Sequence, residues 1–149
     1  MFRGEYSHSI DDKGRVIIPV KYREKLGARF YATRGADNCV CLYPCAEWEK
    51  IESQLCSLVT TKPKERAFVR MMTSSVADCE INGQGRVTLP PHLRAYAGLQ
   101  KDVTLIGNLT HVELWDKTAW ELYNESLRQL GEMPETWLDT LASDLEIRL

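Results

Sequence analysis

Two stretches of the chain repeat one pattern of polar and apolar positions. Residues 11–28 read DDKGRVIIPVKYREKLGA, and residues 82–99 read NGQGRVTLPPHLRAYAGL. In each, a polar run (Asp11-Asp12-Lys13, Asn82-Gly83-Gln84) ends on Gly14 or Gly85, which is turn chemistry. Arg-Val-x-Ile/Leu follows with alternating character, the period of a half-buried strand. Pro19 and Pro90 end the strand and suit the first position of a helix. The helices VKYREKL and PHLRAYA are short, and Gly27 and Gly98 sit where a C-terminal cap belongs.

The identities are Gly14/Gly85, Arg15/Arg86, Val16/Val87, Pro19/Pro90, Arg23/Arg94 and Gly27/Gly98, with Ile18/Leu89 keeping its apolar character. After a one-residue insertion the match resumes, with VCLYPCAEWEKIESQL over VELWDKTAWELYNESL. Leu42/Leu114, Trp48/Trp120, Glu49/Glu121 and Leu55/Leu127 then fall in register. This part predicts strands over Val40–Tyr43 and Val112–Trp115, each followed by a longer amphipathic helix. The stripes Trp48, Ile51, Leu55, Leu58 and Trp120, Tyr123, Leu127, Leu130 have helical spacing and are read as core, an aromatic ligand box being the alternative.

Between the copies, TKPKERAFVRMMTSSVADCE predicts a helix opened by Pro63. Phe68, Met71 and Met72 give it an apolar side, and Lys62, Lys64, Arg66 and Arg70 a basic one. That basic side is either a solvated face or an auxiliary phosphate or subunit contact. Beyond Gly131, a segment with Pro134, Trp137, Leu138 and Leu141 reads as a loop and a short acidic helix. The expected division is module one at residues 5–50, a helical connector at 51–76, module two at 77–120 and a C-terminal helical segment at 121–149.

Charge alters this picture only through its distribution. The whole chain carries −2, which argues weakly against a nucleic-acid partner, yet residues 1–112 hold 16 Lys and Arg against 12 Asp and Glu. Residues 113–149 hold 3 against 9, so the acidity is concentrated in the tail. No apolar run approaches the ~20 residues that span a bilayer, and MFRGEYSHSIDDKGR has no apolar signal region. A cytoplasmic protein with no membrane partner is expected.

Cys39, Cys41, Cys45, Cys56 and Cys79 are read as buried or partly buried free thiols. A metal site from Cys39, Cys41 and Cys45 is the alternative, but that spacing is wrong for a zinc knuckle. Cys39 and Cys41 lie two apart in a strand and share a face. His8, His92 and His111 lie far apart, and no triad order, HExxH, P-loop or GxGxxG is present. No catalytic residue, cofactor or metal is therefore expected.

A module of roughly 45 residues buries little core alone, whereas two can share one about a pseudo-two-fold axis. The same turn is then presented twice, with Arg15 and Arg86 in equivalent places. Arg is suited to bidentate contact with guanine O6 and N7. Lys13, Lys21, Arg23 and Lys25 in the first copy and Arg94 in the second are candidates for phosphate contacts. The alternative is that Arg15 and Arg86 pair with local carboxylates on a sheet surface.

MFRGEYSHSIDDKGRVIIPVKYRE resembles the start of the MraZ family, and INGQGRVTLPPHLRAYAGL with VELWD resembles its second half. The resemblance covers nearly the whole chain, weakening after about Gly131. It implies two SpoVT-AbrB-type swapped-hairpin modules, like those of AbrB and MazE, in a β-rich α+β fold, a double-split β-barrel with flanking helices. It also implies ring-like homo-oligomers, association with the nucleoid, and transcription control of a division and cell-wall gene cluster that includes the regulator's own promoter. The family's DNA-contacting motif, Asp-x-x-x-Arg, falls on Asp11 and Arg15 and, with Asn replacing Asp, on Asn82 and Arg86. The site expected from these readings is Arg15, Arg86, Lys13 and Gln84 on double-stranded promoter DNA. Asp11, Asn82, Gly14 and Gly85 would support the turns, with Lys21, Arg23 and Arg94 towards phosphates. Asn82 can still brace its turn but cannot pair ionically with Arg86, so the first copy is expected to contribute more binding energy. Subunits of a ring face the same way, which favours short G-containing direct repeats about 10 bp apart. An AbrB-like antitoxin or protein-interaction module is the alternative from another class.

Overall fold

The turn, strand and helix expected of each copy occur twice in the computed structural model, which describes residues 1–58, 61–129 and 137–148. The first copy supplies β1 (Glu5–Ser9), β2 (Arg15–Ile17), α1 (Val20–Leu26), β3 (Arg29–Arg34), β4 (Val40–Pro44) and α2 (Cys45–Cys56). The connector helix α3 (Pro63–Ser75) follows, with Pro63 in its first turn. The second copy supplies β5 (Ala77–Glu80), β6 (Arg86–Thr88), α4 (Pro91–Tyr96), β7 (Asp102–Asn108), β8 (His111–Asp116) and α5 (Lys117–Gln129). The last helix is α6 (Trp137–Asp144). The fold is α+β with antiparallel strand pairing.

The prolines differ by one position from the expectation. Pro19 and Pro90 are the caps that precede α1 and α4, with ψ of 139° and 144°, and Pro91 takes the first helical turn. An extended Pro stops the strand and presets the next residue to begin a helix. Gly27 and Gly98 end these helices with φ of 82° and 59°, conformations that Gly adopts without Cβ strain.

Strand order shows how the copies combine. The six-stranded sheet runs β1-β7-β8-β4-β3-β5, with β1 and β5 at its edges, and β2 pairs with β6 in a separate two-stranded ribbon. Exchanging the copies reverses this order onto itself. Among the described residues the strand pairs within a copy are the hairpins β3–β4 and β7–β8, and each copy's first strand adds to the other copy's hairpin. In the ribbon, Val16 faces Val87, Arg15 faces Thr88 and Ile17 faces Arg86. Val16 and Val87 are equivalent residues, so the pseudo-two-fold axis passes between them. Ile10 bridges Val16, linking the end of the first strand to the ribbon.

One core lies between the ribbon and one face of the sheet. Val16, Ile18, Val87 and Leu89 meet Val40, Leu42, Val112 and Leu114 there, with Tyr22, Phe30, Leu93 and Leu105 completing it. The other face carries Tyr31 and Tyr43, whose rings contact Trp48 of α2 at 6.1 and 5.8 Å. Trp48 and Leu55 are buried as the helical stripe requires, while Ile51 is half-buried and Leu58 lies past the helix end. On α3 the expected apolar side is largely open, with Phe68 and Met71 exposed.

The chain divides into residues 1–117 and 118–149. In the second unit the Trp120 and Tyr123 rings stack at 5.9 Å, and both side chains are half-buried. The expected short tail helix is α6, whereas Leu130 of the apolar stripe and Gly131 and Pro134 of the expected loop lie outside the described residues. Among the described residues no helix is long and apolar enough to cross a membrane. All five cysteines are free thiols; Cys56 differs from the expectation in being exposed.

Candidate nucleic-acid interface

Each turn before the ribbon is closed by its first residue. In the first, Asp11 Oδ1 accepts the N–H groups of Lys13 and Arg15, both at 2.9 Å. The Gly14 N–H donates to the Asp11 carbonyl at 3.0 Å. In the second, Asn82 Oδ1 accepts from the Gln84 and Arg86 N–H groups at 2.9 Å, and Gly85 N–H donates to the Asn82 carbonyl. An amide oxygen thus reproduces the backbone bonds of the carboxylate, as expected of an Asx turn. It leaves its turn without the negative charge.

That charge is used by both copies. Arg15 Nε donates to Asp11 Oδ2 at 2.7 Å, and Arg86 Nη1 from the second copy lies 4.0 Å from the same oxygen. Arg15 and Arg86 are diagonal neighbours on the outer face of the ribbon, because Val16 and Val87 occupy the inner one. Two guanidinium groups therefore share one carboxylate, and both remain about one-third exposed. The backbone bond from Arg15 holds the Asp11 carboxyl below its ordinary pKa against the opposing effect of desolvation, and the Arg15 side chain and Lys13 N–H reinforce it. Lys13 and Gln84 are exposed at the two tips, and Ile17 and Thr88 share the Arg-bearing face.

Arg23 and Arg94 stand elsewhere than a surface phosphate contact suggests. Arg23 Nε donates to the Ile18 carbonyl at 2.7 Å, and Arg94 Nε to the Leu89 carbonyl at 3.2 Å. Each guanidinium then crosses to the other copy's turn. A Cβ on Gly14 would lie 2.7 Å from Arg94 Cζ, and one on Gly85 would collide with Arg23 Cζ. Both glycines also have positive φ, 77° and 75°. The ribbon is further tied by Ile18 N–H to the Gly85 carbonyl and Leu89 N–H to the Gly14 carbonyl, each 2.9 Å. Each of the two turns is thus held by the other copy.

Lys21 is exposed on α1 and lines a cavity of about 300 Å³ with Arg3 and Lys25. The structure therefore brings together Asp11, Lys13, Arg15, Gln84 and Arg86, with Gly14 and Gly85 beneath the Arg94 and Arg23 guanidiniums. The Asp11–Arg86 approach and the crossed Arg–Gly contacts were missed by sequence reasoning. Their only sequence trace is that Gly and Arg are identical in both copies.

A family model described as "MraZ protein, putative antitoxin-like" matches residues 1–71 and again 72–139. A protein of Acetivibrio thermocellus named transcriptional regulator MraZ is 52% identical over 124 residues, covering 83% of this chain and 87% of its own length. The Moorella thermoacetica protein of the same name is 46% identical over 140 residues, covering 93% and 98%. That of Syntrophomonas wolfei is 50% identical over 132 residues, covering 89% and 92%.

Proposed function

The chain belongs to the MraZ family, and from that premise we propose that it is a transcriptional regulator that binds double-stranded promoter DNA through the β2–β6 ribbon. The observation that carries the reading is the pair Arg15 and Arg86, side by side on one exposed face with a single carboxylate between them. A carboxylate that holds Arg in a fixed geometry lowers the entropy lost when the guanidinium docks on guanine. Because two guanidiniums share that carboxylate, the face keeps net positive charge towards a polyanion. Lys13 and the turn N–H groups supply phosphate contacts that orient the protein without reading sequence.

The finer expectations follow from this reading. The interleaved sheet and ribbon are taken as the double-split β-barrel of two SpoVT-AbrB-type modules. Ring-like oligomers place successive ribbons in the same sense, so the operator is a set of short G-containing direct repeats about 10 bp apart. Occupancy of its own division and cell-wall promoter blocks polymerase, which makes the protein a cytoplasmic, nucleoid-associated repressor rather than an enzyme.

Fluorescence anisotropy on the region upstream of its own gene, against a scrambled duplex, tests the proposal. Arg15→Ala is expected to abolish the difference between the duplexes while leaving thermal stability and oligomer size unchanged. Normal operator binding by Arg15→Ala refutes base reading by the ribbon. A stoichiometric toxin on the purified protein, with no DNA discrimination, establishes the antitoxin alternative instead.

A further inference from the structure

The two copies meet a second time in the middle of the six-stranded sheet. Cys41 of β4 pairs with Glu113 of β8. These are equivalent positions of the repeat, so this pair lies on the same pseudo-two-fold axis as Val16 and Val87. Val40, Leu42, Val112 and Leu114 point into the core, which turns Cys39, Cys41, His111 and Glu113 to the opposite face. Cys39 and His111 are also equivalent. Residues that are lone groups along the chain thus become one cluster, two from each copy.

We propose that Cys39, Cys41 and Glu113 form a binding site for a thiophilic divalent cation, zinc by its chemistry, with His111 orienting the carboxylate. One ligand atom from each of these three residues lies within 4.8 Å of the others, and the two sulfurs are 4.0 Å apart. Zinc–sulfur bonds of about 2.3 Å in a tetrahedron place two sulfurs about 3.8 Å apart. The cysteines therefore need to move by only a few tenths of an ångström.

The sulfurs are poorly placed for the alternative of a disulfide. Residues two apart in an extended strand have Cα atoms about 6.8 Å apart, at the far limit for a disulfide bridge. Gly35 leaves space for both: a Cβ there would lie 2.5 Å from Cys41 Sγ and 2.7 Å from Cys39 Sγ. The carboxylate completes the cluster and is itself held in place. Glu113 Oε1 accepts from Trp115 Nε1 at 3.0 Å, and Oε2 from Asn108 Nδ2 at 3.1 Å and His111 Nε2 at 3.2 Å. Three of about four lone-pair positions are filled, leaving one for a cation. The outer bonds fix the carboxylate as supporting groups do at metal centres.

Two thiolates and one carboxylate favour zinc over magnesium or calcium. Three protein ligands leave a fourth position for water. Cys41, His111 and Glu113 line a cavity of about 420 Å³ with Tyr43, Met71 and Met72, which gives a cation a place to enter. Cys45, the third cysteine of the metal alternative weighed from the sequence, has its thiol against the Arg29 carbonyl at 3.5 Å instead.

Cobalt titration of the full chain, stripped with chelator and held reduced, is the test. One equivalent per chain is expected to give the thiolate charge-transfer band and the intense visible bands of tetrahedral cobalt, both removed by zinc. Cys39→Ser and Cys41→Ser are expected to lose the bands, while Cys45→Ser and Cys56→Ser keep them. Glu113→Gln is expected to weaken binding at least tenfold, and His111→Ala by about 10- to 100-fold, with circular dichroism verifying that each variant is folded. Absence of the bands in the parent protein, their survival in Cys39→Ser or Cys41→Ser, or unchanged affinity in Glu113→Gln overturns the proposal.

Discussion

Replacing Gly85 by Ala tests whether the ribbon is held together by crossed contacts between the copies. Three glycines separate the contributions. Gly83 has no positive φ and open space around it, and Gly98 has φ of 59° with open space. Gly85 has φ of 75°, with the Arg23 guanidinium where the Cβ would go. Gly83→Ala should therefore be neutral or gain about 0.4–1 kcal/mol through the unfolded chain. Gly98→Ala should lose about 1–2 kcal/mol to the left-handed conformation alone. Gly85→Ala bears that cost and also displaces Arg23 from the Ile18 carbonyl, a charged hydrogen bond of about 1.5–3 kcal/mol. The sum is about 3–5 kcal/mol, or roughly 10 °C in Tm for a chain of this size. Urea unfolding at fixed protein concentration measures it. In an Arg23→Ala background the extra cost should vanish, leaving a coupling of about 1.5–3 kcal/mol. A loss for Gly85→Ala equal to that for Gly98→Ala, or coupling below about 0.5 kcal/mol, refutes the crossed-contact argument.

Arg15→Ala should cost more operator affinity than Arg86→Ala, about 1–3 kcal/mol of base discrimination, since only Arg15 has a 2.7 Å bond to hold it in place; anisotropy showing the reverse order removes this ranking. Asn82→Asp should add a second brace within reach of Arg86 and tighten operator binding, and unchanged affinity excludes bracing as a determinant. Asp11 has its pKa depressed, so its contribution to folding is present above the unfolded value of about 3.8 and is lost as pH falls through the lower folded one. Asp11→Asn should therefore narrow the difference in stability between neutral and acid pH, which parallel melts follow. Tyr22 is affected at the opposite end: burial, then Tyr6, raises its pKa to about 12, and its one hydroxyl proton is shared between the Arg3 and Gly4 carbonyls at 2.9 and 2.8 Å. The stability it provides is complete below pH 10 and falls as pH rises towards 12, so the gap between parent and Tyr22→Phe should close over that range in alkaline unfolding.

Local signals predicted what local physics decides. Gly, Arg-Val-x-Ile, Pro and the Trp48 stripe specify turn, strand, stop and helix within a few residues, and these elements occur where the patterns place them. Pro19 was misplaced by one residue because an extended Pro can end a strand and cap a helix at once. Pairing partners are not local. β1 belongs to the first copy, yet its partner β7 lies in the other. The same applies to Arg23, which reads as a surface cation on a short helix until the ribbon brings Gly85 beneath it. The identities between the copies hinted at this, since Gly14, Gly85, Arg23 and Arg94 are the residues that touch across the axis. The hint could not be used without the register.

Divergence on the axis gave no such hint, and duplication within one chain is what permits it. In a dimer of identical chains a residue on the two-fold axis meets its own copy, so Cys41 would face Cys41 and Asp11 would recur beside both arginines. Here the equivalent positions are free to differ. Asp11 and Asn82 keep the same backbone bonds, but only one brings a charge. That one carboxylate holds Arg15 at 2.7 Å but reaches Arg86 only at 4.0 Å, so the two arginines are braced unequally. At the sheet centre the same freedom places a thiol opposite a carboxylate instead of thiol opposite thiol. An identical pair of cysteines there could cross-link the copies by oxidation, whereas Cys41 opposite Glu113 cannot. The pseudo-symmetry builds both faces of the molecule, and the departures from it determine the chemistry that each can carry.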